Sequence, residues 1–281
     1  MTNTTIPPLE ENHVIIFGDC WPVVSAVKNV VTTIRPEYTC NIARDLSSII
    51  YHLAREPRAV LVLCLRPHEH IFLFYALKEE MIYHPTLVIS DEILFSDKVV
   101  LSAWGQIPWM MHQELELMIT SQQLCELYPS AIRYCPEKST LTNFLMTPVL
   151  PSGFPEVPQI FHLEERLMDY MSLLMYREML NRGLTPFRIR ILEAIWRGHQ
   201  TRNELAEILD EPRGKIWNEK YRLLAQLGMS ARLRDMLYGT HFCLFLQRTP
   251  FMSLSKAGEI REKARVSQKE VSPDFPAGTA A

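Results

Sequence analysis

The chain has 281 residues, of which 47% are hydrophobic, so it is long enough for two domains with separate cores and too apolar to be disordered throughout. Lysine and arginine number 10 against 16 acidic residues over positions 1–150, and 19 against 16 over positions 151–281, which gives the two halves net charges of −6 and +3. The modest basic excess places any contact with nucleic acid in the C-terminal half.

The chain begins with a polar segment, MTNTTIPPLEEN, that lacks the basic and apolar regions of a secretory signal. No apolar run reaches the roughly 18 residues that a membrane-spanning helix needs. The six cysteines lie far apart, with no CxxC pair and no Cys/His cluster at zinc-site spacing, which argues against a metal site. We therefore expect a cytoplasmic protein with reduced thiols, no metal or other cofactor and no membrane contact.

Predicted strands and helices then alternate along the N-terminal half. Short apolar runs indicate strands, and the stretches between them indicate helices. The predicted strands are 13–17, 38–42, 59–65, 85–90 and 98–102, and the predicted helices are 22–34, 46–55, 71–81 and 113–124. Because the strands lack an alternation of polar and apolar residues, we expect a parallel sheet covered by helices on both faces.

A proline-rich stretch, MTPVLPSGFPEVP, predicts a domain boundary near residues 147–159. The helix predicted next, at 163–180, has too many apolar residues for a half-exposed surface helix. It is expected to pack either on the adjoining domain or on a partner chain.

Residues 185–238 carry the signals of four short helices joined by tight turns. Thr185 and Pro186 suit an N-cap and a first helical position, and Thr201 with Glu204 has the spacing of a capping box. The close succession of the second and third helices predicts a helix-turn-helix arrangement.

The third of these helices, predicted at 212–227 and stopped by Gly228, is the one that would enter a DNA major groove. Ser230 is expected to cap the fourth. The residues expected to face outward from the third helix are Arg213, Lys215, Asn218, Lys220, Tyr221 and Arg222.

These outward side chains suit contact with DNA, since Arg and Lys bind phosphate or guanine, Asn binds adenine and Tyr donates to phosphate. We expect Arg213, Lys215 and Asn218 to read bases, and Lys220 and Arg222 to hold phosphates. Glu219 is an acidic exception on this helix, which could read cytosine or repel the backbone. The alternative is an ordinary helical domain whose charged face is simply solvated.

The segment Leu184–Leu237 resembles the LuxR-type helix-turn-helix of bacterial response regulators. The matching residues, in order, are Leu184-Thr185-Pro186, Gly198, Glu204-Leu205-Ala206, Leu224 and Leu227-Gly228. The sequence departs from the family at Lys215-Ile216-Trp217, where the family has Thr-Val-Lys, and at Arg188, where it has Glu.

The N-terminal half, over residues 13–125, resembles a degenerate receiver domain, which implies a flavodoxin-like α/β fold. The resemblance places Asp19 in the acidic pocket as its one remaining carboxylate, Cys64 at the phosphoacceptor position and Ser90 at the hydroxyl position. Strand five, taken to end at 101–104, offers no matching Lys. Since a thiol cannot form an aspartyl phosphate, this would be a pseudo-receiver.

Together these features predict a receiver-like domain at 1–130, a linker and connecting helix at 131–183, a helix-turn-helix domain at 184–240, and an extension with a mobile or locally helical tail at 241–281. The expected function is transcription regulation through double-stranded DNA, without aspartate phosphorylation and without enzymatic activity. The resemblance implies a homodimer or a heterodimer with a response regulator. A protein-binding adaptor, or a sensor that binds a small molecule at the sheet edge, remains an alternative.

One short stretch and one cysteine near the sheet edge each have two possible interpretations. His68-Glu69-His70 is expected to be a solvated loop, although alternating His residues could chelate a metal. Cys64 is expected to be a small buried residue, although a nearby cation could make it a redox sensor.

Overall fold

The computed structural model describes residues 12–127, 139–157 and 161–271, and the side chains of 122–127 and 268–271 are excepted. The predicted leader, parts of the predicted linker and the end of the predicted tail lie outside these ranges. Within them, no helix is both long and apolar enough to cross a membrane.

Five parallel strands form a sheet in the order β2-β1-β3-β4-β5. They are β1 (Asn12–Gly18), β2 (Tyr38–Ile42), β3 (Val60–Cys64), β4 (Thr86–Ser90) and β5 (Trp109–Met111). Every residue of β3 and β4 is buried, which explains the unbroken apolar run of β3 and of the centre of β4. The predicted α/β fold class is confirmed.

Helices cover both faces of the sheet. They are α1 (Trp21–Ile34), α2 (Leu46–Arg55), α3 (Ile71–Ala76), α4 (Glu80–Tyr83), α5 (Phe95–Ala103), α6 (His112–Leu127) and α7 (Thr140–Met146). Because successive strand residues point to opposite faces, Val14 and Ile16 pack with α1, α6 and α7, whereas Ile15 and Leu61 pack with α2, α3 and α5. The predicted helix 71–81 is interrupted and forms α3 and α4.

The predicted strand at 98–102 is wrong, because these residues lie within α5, and the fifth strand is β5 further along the chain. A short apolar run such as KVVLS fits a buried helix as well as a buried strand. The Asp97 carboxylate favours the helix by accepting a hydrogen bond (2.8 Å) from the backbone N–H of Leu94, just before the helix starts. The residue that follows strand five is therefore His112.

The C-terminal half is helical. Its helices are α8 (Glu164–Asn181), α9 (Pro186–Trp196), α10 (Arg202–Leu209), α11 (Arg213–Leu227), α12 (Leu233–Thr240) and α13 (Leu254–Val271). Thr185 caps α9, and Thr201 and Glu204 form the reciprocal capping box of α10, as predicted. Gly228 ends α11 with the left-handed backbone that glycine accommodates (φ 63°).

Ser230 does not cap α12, contrary to the prediction. The helix begins three residues later, at Leu233, and the Ser230 hydroxyl instead donates to the carboxylate of Asp235. Asp235 is buried and also accepts from Arg232 (3.0 Å), so the serine helps to satisfy a buried charge rather than a helix end.

The four short helices dock on the α/β region through α8 and α12, which pack against α5. Arg232 and Arg234 reach Glu92 (2.5 and 3.6 Å), and the guanidinium of Arg182 lies over the ring of Phe95 (5.3 Å). The buried face of α8 belongs to the same apolar cluster as α5. Of the two predicted partners of this helix, the adjoining part of the same chain accounts for its buried face.

The segment after α12 returns to the sheet. A short 3-10 turn at Leu244–Leu246 leads to residues 247–249, which cross the carboxyl edge of the strands. The predicted tail forms α13 up to Val271, and this helix packs along α2. Arg261 of this helix pairs with Glu79 (2.6 Å) and with buried Glu80. These ion pairs anchor a stretch whose sequence is only weakly periodic.

Candidate nucleic-acid interface and sheet-edge cavity

One face of α11 is buried and the opposite face is open to solvent. Ile216, Leu223, Leu224 and Leu227 are buried and pack with α9 and α10. Five of the six residues predicted to face outward are exposed, and these are Arg213, Lys215, Asn218, Tyr221 and Arg222. The α/β region docks through other helices, so this exposed face is left uncovered.

Lys220 is the exception, and the prediction that it faces outward is wrong. It lies one helical turn from Ile216 and from Leu223 and Leu224, which places it on the buried side of the helix. The side chain is half-buried, and this burial lowers the pKa of its amine. Lys220 is therefore poorly placed to hold a phosphate on the outward face.

Arg188, one of the departures from the LuxR-type pattern, contacts Glu219, the acidic exception on α11. Arg188 on α9 donates to Glu219 on α11 (2.7 Å) and to Gln226 (2.6 Å), and Arg222 also donates to Glu219 (2.9 Å). The hydrogen bond from Arg188, together with the charges of Arg188 and Arg222, holds the pKa of Glu219 below its usual value. The acidic exception on α11 is thus neutralised by an arginine that replaces a glutamate elsewhere in the pattern.

The other outward polar side chains of α11 differ in whether they are already paired. Lys215 donates to Glu211 (2.5 Å) and lies over the ring of Phe187 (4.9 Å). Within the described part of the chain, neither Arg213 nor Asn218 has a side-chain hydrogen bond or ion pair, so both remain available to a ligand.

Trp217 and its neighbour Arg202 were missed as candidates from the sequence, whereas Tyr221 was predicted. Trp217 and Tyr221 present exposed rings that meet edge to face, with centroids 4.9 Å apart. Arg202 on α10 lies over the Trp217 ring (5.8 Å) and donates to the backbone carbonyl of Arg213 (3.1 Å). The spacing of Trp217 and Tyr221, four residues apart on a helix, is the signal that places both rings on neighbouring turns.

The second candidate site is a cavity of about 310 Å³ at the carboxyl edge of the strands. The structure brings Asp19, Cys64 and Ser90 together there, as the receiver resemblance implies. His112, the residue after β5, lines the same cavity. The described residues contain no group of three or more His, Cys, Asp or Glu side chains that could hold a metal ion.

The two side chains that the receiver resemblance compares with a phosphoacceptor and a hydroxyl group are Cys64 and Ser90, and each is either unreactive or already hydrogen-bonded. Burial raises the pKa of the Cys64 thiol to about 12, so it stays protonated at neutral pH. This argues against a redox sensor and for the small buried residue. The Ser90 hydroxyl donates to the backbone carbonyl of Glu92 (2.7 Å).

The thiols therefore differ in expected reactivity. Iodoacetamide should label exposed Cys20 in the native protein and leave Cys64 unlabelled, whereas both should react after denaturation. Peptide mass spectrometry with and without denaturant measures this. Equal labelling of the two cysteines in the native protein would contradict the buried position of Cys64.

Asp19 is held by groups from distant parts of the chain. It accepts hydrogen bonds from His70 (2.8 Å) and Arg248 (3.0 Å). Burial alone would raise the pKa of this carboxyl, but the hydrogen bonds and charges of His70 and Arg248 together lower it. The carboxylate is therefore ionised at neutral pH and already paired with a cation from the same chain.

A chain of alternating charges continues across the cavity. Arg248 also pairs with Glu69 (2.7 Å), Glu69 pairs with Arg66 (3.2 Å), and Arg66 pairs with Asp91. The hydrogen bond from Arg66 lowers the pKa of Asp91 to about 2. Two arginines thus neutralise the carboxylates of an edge that would need a free acidic pair to hold Mg²⁺.

Residues 247–249 bury the stretch that was expected to be a solvated loop. The Gln247 side chain donates to the carbonyl of His68 (2.8 Å) and accepts from the N–H of Ile71 (2.9 Å), and Thr249 bonds His70 (2.8 Å). His68, Glu69 and His70 are all buried, so the prediction of a solvated loop is wrong. The reason is coverage by a segment 179 residues away in sequence.

No protein-family model and no curated protein matches the chain. Solved structures with a similar arrangement include RcsB from Salmonella enterica serovar Typhimurium bound to a promoter, with 16% identity, a TM-score of 0.46, and coverage of 83% of this chain and 98% of that chain. An RcsB–DNA complex has 15% identity, a TM-score of 0.45 and coverage of 81% and 98%. The response regulator StyR has 14% identity, a TM-score of 0.30 and coverage of 81% and 97%. Likeness at this level assigns no function to this chain.

Proposed function

We propose that this chain is a transcription regulator that binds double-stranded DNA through the outward face of α11. The observation that carries the proposal is the exposure of this face, with Arg213 and Asn218 unpaired on it while its opposite side packs on α9 and α10. An arginine and an amide on the exposed face of one helix can reach base edges in a major groove.

The proposal assigns DNA binding to residues 184–240 and a regulatory role to the receiver-like domain at 1–130, with 131–183 connecting them. Aspartyl phosphorylation has no place in it, because Cys64 stands at the acceptor position and Arg248 already pairs with Asp19. The extension at 241–281 contributes this arginine. We further propose that the chain acts as a homodimer, or as a heterodimer with a response regulator, on paired half-sites.

The test is selection from a pool of random-sequence duplexes at two salt concentrations by the full chain, alone and mixed with response regulators from its host. Selective enrichment by the chain alone supports an independent DNA-binding regulator. Enrichment only in the mixture supports an auxiliary subunit of a heterodimer.

Absence of selective enrichment in either case supports the alternative, an adaptor that binds another regulator without touching DNA. The ion pairs of Lys215 and Arg222 favour this second candidate, because they reduce the charge that α11 can offer to phosphates.

With Lys220 on the buried side, the phosphate contact falls to Arg222. Replacing Arg222 by alanine should weaken binding to all sequences about equally and reduce the slope of log affinity against log salt concentration by roughly one. Titrations by fluorescence anisotropy at four or more salt concentrations measure the slope.

Two controls accompany Arg222→Ala. Arg44→Ala removes the same charge from an exposed position next to β2 and should leave the slope unchanged. Lys220→Met keeps an apolar stem on the buried side and should also leave it unchanged. A slope that falls with Lys220→Met and not with Arg222→Ala would reverse the assignment.

A further inference from the structure

The exposed face of α11 has an aromatic part that its folding does not require. Trp217 is 42% exposed and Tyr221 is 48% exposed, and neither ring belongs to the buried apolar clusters of the described chain. Large apolar groups left in water lose the free energy that burial would give, and contiguous ones mark binding surfaces.

The two rings are fixed in place. They meet edge to face, with centroids 4.9 Å apart and planes at 76°. Arg202 approaches Trp217 from α10 with its guanidinium 5.8 Å from the ring centroid, and it is itself held by the carbonyl of Arg213. Because the rings are already ordered, a ligand that contacts them loses little side-chain entropy.

The surroundings of the pair favour nucleic acid over an apolar protein surface. Arg202 and Arg213 lie beside the rings, and Arg222 is exposed on the same helix. Gly214 and Ala225 also lie on the outward side, and a Cβ added at Gly214 would meet no atom within 4 Å. Small residues on the outward side of α11 allow the helix to approach a groove closely.

Base edges in the major groove differ in one apolar feature. Adenine, guanine and cytosine present hydrogen-bond donors and acceptors, whereas thymine also presents its C5-methyl group, which apolar side chains contact. An indole ring cannot satisfy donors and acceptors through its face, but it can cover a methyl group. Resting on the proposed function, we infer that the Trp217–Tyr221 pair reads thymine methyl groups and makes thymine-containing half-sites the preferred DNA.

The experiment removes one methyl group at a time. A duplex enriched by the full chain is resynthesised with each thymine replaced singly by deoxyuridine, which lacks only the methyl group. Affinity for each duplex is measured with the wild-type chain and with Trp217→Ala. Tyr221→Phe keeps the ring without the hydroxyl and should retain the wild-type pattern.

Wild-type affinity should fall about fourfold at one or two positions, since a buried methyl group contributes about 0.8 kcal/mol. The same replacements should have no effect on Trp217→Ala. Replacement by 5-bromodeoxyuridine, whose bromine fills the space of the methyl group, should restore wild-type affinity. Thermal unfolding should show Trp217→Ala to be folded, as expected for an exposed side chain.

The inference is overturned if deoxyuridine is tolerated at every position, or if it weakens Trp217→Ala as much as the wild-type chain. In both cases the salt dependence of Arg222→Ala would still report DNA binding, so the proposed function would stand. If no duplex is enriched, the proposed function fails and the inference fails with it. If the ring pair instead binds a protein partner, no duplex is expected to be enriched.

Discussion

Replacing Asp97 by alanine is expected to lower the free energy of unfolding by about 3–5 kcal/mol. The carboxylate is fully buried and accepts three hydrogen bonds, from the backbone N–H of His68 (2.8 Å), the Nδ1 of His68 (2.7 Å) and the backbone N–H of Leu94 (2.8 Å). Alanine would leave these three groups buried without an acceptor. Urea unfolding followed by circular dichroism measures the loss.

Asp169→Ala is the matched control, because Asp169 is exposed on α8 and has no side-chain partner within the described chain. It should change stability by less than about 0.5 kcal/mol. A loss below 1 kcal/mol for Asp97→Ala would contradict the role given to the three hydrogen bonds.

The position of Asp97 links stability to the sheet edge. It ties the turn at His68 to the start of α5, and the carbonyl of His68 in turn receives Gln247 from the returning segment. We therefore expect the loss of Asp97 to loosen the contacts of residues 247–249 as well as the α5 surface on which α8 and α12 pack.

Much of the fold could be predicted from the sequence where local signals agree. The apolar runs of β1, β3 and β4 are buried in the sheet, so continuous hydrophobicity was a sufficient signal for these strands. The caps at Thr185 and Thr201 and the stop at Gly228 are local hydrogen-bond and backbone requirements, and they lie where the residue types indicate.

The failures have specific physical causes. The three residues of β5 are too few to show a period, and the apolar part of α5 took their place in the prediction. Lys220 was assigned by residue type, although its spacing from Ile216 and Leu223 places it on the buried side of α11.

The sheet-edge cavity could be predicted only in part. The receiver resemblance placed Asp19, Cys64 and Ser90 there, and the structure brings them together at the ends of β1, β3 and β4. The pairing of Arg248 with Asp19 joins residues 229 positions apart, and no local pattern announces such a contact. The same reason explains why the burial of His70 was missed.

Replacing Gly18 by alanine is expected to destabilise the protein by about 3 kcal/mol, at the upper end of the cost of overpacking. Gly18 is the last residue of β1 and lies opposite Cys64 in the parallel register with β3. An added Cβ would lie 2.4 Å from the carbonyl oxygen of Cys64 and 2.6 Å from its Cβ. Neither atom can move away cheaply, because both belong to a strand in the middle of the sheet.

Gly258→Ala is the matched control, since it makes the same chemical change on α13, where the nearest atom would be 3.9 Å away. In a helix this change should stabilise by about 0.5–1 kcal/mol. The two substitutions should therefore shift the unfolding midpoint in opposite directions, which differential scanning calorimetry measures. Shifts of the same sign would mean that contact with Cys64 does not govern Gly18. Shifts of opposite sign would show that β1 and β3 approach each other closely at Gly18. The same approach lets the Asp19 N–H donate to the Cys64 carbonyl (3.3 Å), which places Asp19 beside Cys64 in the cavity.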